Sequence, residues 1–119
     1  MRHIESAIQK NCVMWFRLQY PELSKLLFAV PNGGTRNKRE AAIMKAEGIT
    51  AGVSDLLLLV PNKYFHGLCI EVKTETGRQT KMQKDWQTEV EKQGYKYVVV
   101  RNIDDFIEQI RMYLENIAF

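Results

Sequence analysis

The chain has 119 residues, 45% of them hydrophobic and 26% charged, which suits one compact domain over residues 1–119 and excludes a disordered, collagen-like or disulfide-stapled chain. Seventeen Lys and Arg against fourteen Asp and Glu leave a formal charge of +3, too little to coat nucleic acid by charge alone but compatible with a local basic face. Cys12 and Cys69 lie in apolar surroundings without CxxC spacing, no apolar segment follows Met1-Arg2-His3, and no run approaches the roughly 20 apolar residues that span a bilayer. The expectation is buried thiols, no membrane contact and a cytoplasmic location.

Apolar residues Ile4, Ile8, Cys12, Trp15 and Phe16 recur at helical spacing, so a first amphipathic helix is expected from Ile4 to Leu18, ending before Pro21. Leu26 to Val30 reads as a strand stopped by the turn residues Pro31-Asn32-Gly33-Gly34. A second helix follows over Arg39 to Glu47, with Thr35 or Asn37 as N-cap and Gly48 as its stop. Asp55–Val60 and Leu68–Lys73 are apolar runs joined by a loop from Pro61 to Gly67, expected to form an antiparallel hairpin with Tyr64, Phe65 and His66 at its tip. Thr80-x-x-Gln83 has capping-box spacing at the start of a third helix, which Gly94 closes. Tyr95–Val100 is a β-branched strand, and Asp104 is the expected cap of a last helix whose inner stripe is Phe106, Ile107, Ile110, Tyr113 and Leu114.

If Val60 pairs with Leu68, then Leu57 stands opposite Glu71 and Asp55 opposite Lys73, and strand alternation puts Asp55, Glu71 and Lys73 on one face. Two carboxylates brought together on an apolar hairpin repel each other and lose hydration, and a divalent cation such as Mg²⁺ relieves both costs. That chemistry points to phosphodiester hydrolysis, with Lys73 orienting a water and offsetting charge on phosphorus. The plainer alternative is a capping Asp55 and a partly exposed Glu71–Lys73 ion pair on an edge strand. Glu5 falls on the same helical stripe as Ile8, Cys12 and Trp15, an inward acid that needs a partner.

Glu5, Pro31-Asn32-Gly33-Gly34, Gly48 to Asp55, Ile70-Glu71-Val72-Lys73, and Gln83 ahead of Trp86 together resemble the PD-(D/E)xK nuclease superfamily, and within it the virus-type replication-repair nuclease (VRR-NUC) branch. The resemblance implies an α/β, restriction-endonuclease-like core in which helices flank a mixed four-stranded sheet. It further implies a catalytic set of Asp55, Glu71, Lys73, Glu5 and Gln83. Asp55, Glu71 and the Val72 carbonyl would bind Mg²⁺ or Mn²⁺, with Glu5 reaching the metal directly or through water. Ser54 stands where the family often has proline. Gln83 is equally well explained by its capping box.

The implied substrate is DNA, contacted by Asn32, Gly33, Arg36, Lys38, Arg39, Lys81 and Lys84, with Arg78 beside the last two. Cations at the start of a helix oppose its dipole, which a phosphate would reverse. Small stand-alone members of the family imply a homodimer that resolves four-way (Holliday) junctions in a bacterial or phage-infected cell. The alternatives are a flap or single-strand nuclease and a non-catalytic nucleic-acid-binding module of the same fold. The intact trio of Asp55, Glu71 and Lys73 argues against the last of these.

Overall fold

A computed structural model describes residues 2–31 and 37–116. In chain order the elements are α1 (Arg2–Gln19), a 3-10 helix (Pro21–Leu26), β1 (Leu27–Ala29), α2 (Lys38–Ala46), β2 (Leu56–Leu58), β3 (Leu68–Val72), α3 (Lys81–Lys92), β4 (Lys96–Val100) and α4 (Ile103–Leu114). Pro21 opens the 3-10 helix, which sequence periodicity alone does not announce. The sheet order is β1-β2-β3-β4. The first two pairings are antiparallel, and β3 pairs with β4 in parallel through the crossover that carries α3. This is the mixed four-stranded α/β architecture expected.

Strand alternation divides the molecule into layers. Leu56, Leu58, Leu68, Ile70, Val72, Val98 and Val100 pack against Cys12 and Phe16 of α1 and Phe106, Ile110, Tyr113 and Leu114 of α4. Full burial of each large side chain in this core contributes about 1.5–3 kcal/mol. On the other face Tyr97 meets Trp86 of α3 edge-on, ring centroids 6.1 Å apart. Both cysteines are free and buried, as expected, and burial pushes the thiol of Cys12 up to about 12 and that of Cys69 to about 11. Among the described residues no helix is long and apolar enough to cross a membrane.

Three details differ from expectation. In the hairpin, Leu58 faces Leu68 and Leu56 faces Ile70, two residues from the predicted register. The connection is longer because Asn62 builds it: its side-chain carbonyl accepts from the amides of Tyr64 (2.9 Å) and Phe65 (2.8 Å), and its amide donates to the Tyr113 carbonyl (3.1 Å). A two-residue slip preserves the faces, but it sets Asp55 opposite Glu71 instead of Lys73. The cap of α4 is Asn102, which accepts from the Asp105 amide at 2.8 Å. Asp104 lies in the first turn, where its charge still favours the helix dipole. Ile4 is 55% exposed, since the sheet gives it no cover and the packed stripe of α1 starts at Ile8. Of the two N-cap candidates for α2, Asn37 does the capping, accepting from Glu40 at 2.8 Å; Thr35 lies outside the described residues.

Candidate active site

The segment between α2 and β2 delivers Asp55. Gly52 has φ +86°, and a Cβ there would come within 2.5 Å of the Met82 carbonyl oxygen, so only glycine lets this loop press against the start of α3. Ser54 is fully buried and donates to the Leu56 carbonyl at 3.3 Å. This places Asp55 just ahead of β2, where its Oδ2 accepts the Val72 amide at 2.7 Å. The carboxylate of Asp55 thereby extends the β2–β3 ladder and lies at the end of β3 that carries Glu71 and Lys73.

Glu71 is 1% exposed. Its Oε1 accepts from the Tyr97 hydroxyl at 3.2 Å and its Oε2 from the Gln83 side-chain amide at 3.0 Å. Burial pushes its carboxyl up to about 8, helped by a hydrogen bond to Asp55 and by the charge of Asp55, while Lys73 and the Tyr97 hydroxyl pull it back. Tyr97 is itself raised well above the usual phenol range, first by burial and then by Glu71. It therefore stays a proton donor. Gln79 donates to the Tyr97 oxygen at 3.1 Å and to Gln87 at 2.9 Å.

Gln83 has both of the roles weighed for it. Its carbonyl accepts from the Thr80 amide at 2.8 Å in a complete capping box, and its amide holds Glu71. Tyr97 and Gln79 were missed in the sequence. The available signal was a tyrosine within the valine run of β4, one strand from Glu71.

Lys73 follows β3 directly, 8% exposed, and its amide donates to the Val100 carbonyl at 2.9 Å. The loop beyond it is held by Arg101, whose Nη1 donates to the carbonyls of Thr74 at 2.6 Å and Gly77 at 2.7 Å. Among the described residues the ion pairs are Lys81–Asp85 and Lys92–Glu89. The edge-strand ion-pair alternative for Glu71 and Lys73 is overturned: both are buried, no ion pair joins them, and β3 is an interior strand.

Glu5 is half-buried and lines a cavity of about 920 Å³ between α1 and β1 that Asp55 also lines. Among the described residues no group of three or more His, Cys, Asp or Glu side chains converges, so Glu5 is not drawn into one cluster with Asp55 and Glu71. A hard divalent cation fits the pair that does meet. Mg²⁺ is commonly held by one or two carboxylates and several waters, and its charge offsets the burial, and with it the Asp55 repulsion, that otherwise keep a proton on Glu71.

The basic residues are dispersed. Lys38 and Arg39 are exposed at the start of α2, and Arg78 and Lys84 are exposed near α3. Lys81 is paired with Asp85 at 2.8 Å. Asn32, Gly33, Gly34 and Arg36 lie outside the described residues. At the hairpin tip Tyr64 is exposed, Phe65 is half-buried beneath Lys96, and His66 meets Tyr95 edge-on.

The family model of the VRR-NUC domain matches residues 3–102. A solved structure of a VRR_NUC domain protein is 29% identical, with a TM-score of 0.84, over 97% of this chain and 91% of that one. No curated protein matches the chain.

Proposed function

Because the chain belongs to the VRR-NUC domain family, we propose that it is a Mg²⁺- or Mn²⁺-dependent endonuclease that hydrolyses DNA phosphodiester bonds and, as a homodimer, resolves four-way junctions. The observation that carries this reading is the buried Glu71 carboxyl hydrogen-bonded to Asp55 and next to Lys73 at the end of an interior strand. Nothing in the core needs two carboxyls and an ammonium there, and leaving them there costs stability unless they serve a ligand.

Asp55, Glu71 and the Val72 carbonyl would hold the cation, with Glu5 reaching it through water across their shared cavity. Bound there, a divalent cation supplies a Lewis acid for the phosphate and makes water easier to deprotonate. Tyr97 and Gln83 each donate to one oxygen of Glu71, fixing the carboxylate's orientation before substrate arrives. Lys73 contributes a positive charge, buried and therefore weakly screened, against the charge that develops on the phosphate oxygens as water attacks and the ester bond breaks. Lys38, Arg39 and Lys84, with Asn32, Gly33 and Arg36, would contact the DNA backbone and fix its register without reading bases.

The test is cleavage and gel shift measured in parallel for Asp55→Ala, Glu71→Ala and Lys73→Ala. Each variant is expected to lose cleavage and keep its affinity for DNA. Wild-type turnover in any one of them removes that residue from the mechanism, and wild-type turnover in a chelator removes the cation.

A further inference from the structure

The cavity shared by Glu5 and Asp55 continues well past them. Its one wall is α1, where Lys10, Met14, Arg17 and Leu18 face it, and the other is β1 with Ala29 and Val30. The Val30 amide donates to the Asp55 carbonyl at 2.9 Å, so the β1 wall runs straight into the candidate active site. Both acids of the lining, Glu5 and Asp55, belong to that site, whereas the cations Lys10 and Arg17 lie further along α1. Both cations are exposed, as are the apolar side chains of Met14 (60%) and Leu18 (75%). Charge therefore changes sign along the groove, from a cation-seeking end to a phosphate-seeking one.

Two helical turns, about 10.5 Å, separate Lys10 from Arg17. At the rise of a B-form strand, about 3.4 Å per nucleotide, that spans about three nucleotides, and fewer where the strand is unstacked and extended. Met14 and Leu18, between and beside these cations, offer apolar surface to whatever occupies the groove. In a duplex the base faces are covered by stacking, so only unpaired bases would profit from it. A partner that offers both regular negative charge and free apolar faces is a single nucleic-acid strand.

Resting on the nuclease reading above, we propose that the groove between α1 and β1 carries an unpaired DNA strand away from the scissile phosphate, with Lys10 and Arg17 on its phosphates and Met14 and Leu18 on its bases. At the four-way junction of that reading the unpaired stretch is the opened crossover, and at a flap it is the single-stranded arm.

The probe is a labelled blunt duplex compared with the same duplex bearing a single-stranded arm, both titrated by fluorescence anisotropy in EDTA so that nothing is cut. Wild type is expected to bind the armed duplex more tightly. Lys10→Ala/Arg17→Ala should lose about tenfold on the armed DNA and nothing on the blunt one, and should flatten the salt dependence by about 1.4 log units per log unit of salt, about 0.7 for each single-strand phosphate contact. Met14→Gln/Leu18→Gln, at exposed sites that do not endanger folding, should weaken the armed complex without changing that slope. Equal losses on both DNAs, or no loss, overturn the proposal. So does a Leu18→Gln protein whose mass by light scattering halves while its DNA affinity stays the same, which would give this face to a second copy of the chain. An arm-specific loss in a protein that cuts nothing would support the track and sink the nuclease reading alone.

Discussion

Glu71 accepts a hydrogen bond on each carboxylate oxygen and also shares one with Asp55, in a place where water scarcely reaches it. Its carboxyl, raised from 4.5 to about 8 in the folded chain, holds a proton that the unfolded chain releases. The stabilising effect of this group is therefore complete below about pH 4.5 and is lost as pH rises through about 8. A cation needs the deprotonated pair, so its stabilising effect grows over the same interval. Thermal melts from pH 6 to 8.5, with chelator and with Mn²⁺, should show wild type falling relative to Glu71→Gln in chelator, and the Mn²⁺ shift of wild type rising. A difference between the two proteins that ignores pH would mean that Glu71 is ionised without metal. The trio itself was legible because acid-x-Lys on an apolar strand is chemically out of place. Tyr97 and Gln79 were not, because their contacts depend on which strand lies beside β3, and that pairing joins residues far apart in the chain.

The start of α3 supplies both a cap and a hold on Glu71 through one side chain. Thr80→Ala deletes the hydroxyl that accepts the Gln83 main-chain N–H, a loss of about 1 kcal/mol, but leaves the Gln83 side-chain carbonyl bonded to the Thr80 main chain and its side-chain amide on Glu71. Gln83→Glu keeps a capping acceptor and puts an oxygen against Glu71 where a donor stood. A modest drop in melting temperature with normal cleavage is expected of the first variant, and a near-normal melt with at least tenfold slower cleavage of the second. Full activity in Gln83→Glu would reduce Gln83 to a cap. Elements of this kind were readable: Thr80-x-x-Gln83, Asn37 and Gly94 each announced a boundary by local chemistry. The hairpin register was not, because it depends on Asn62 tying its loop to Tyr113 in α4, far along the chain. The cap of α4 was misplaced by two residues because Asn102 and Asp104 are equally good caps on local grounds.

The whole molecule measures 44 × 30 × 26 Å with a radius of gyration of 14.6 Å, somewhat above the roughly 13.5 Å of a compact chain this long. At its surface α2 buries none of its residues and leaves Lys38 and Arg39 exposed. Residues 1–119 hold one Asp55–Glu71 pair, and a four-way junction is resolved by two cuts related by symmetry, which a two-fold dimer supplies. Light scattering should give twice 13.9 kDa, and a cruciform plasmid should receive paired nicks in preference to linear duplex. A monomer that trims flaps and spares junctions would remove the resolvase reading and leave the nuclease. The order in which the chain is made has its own bearing on this activity. Asp55, Glu71 and Lys73 leave the ribosome first, and the strand that flanks β3, the Tyr97 hydroxyl on Glu71 and the Arg101 grip on the loop after Lys73 all follow within residues 96–101. Until those residues dock, one side of β3 has no ladder and Glu71 lacks its phenol donor. A nascent chain thus carries the acids and the lysine without the frame that arms them until residues 96–101 have been made and have docked.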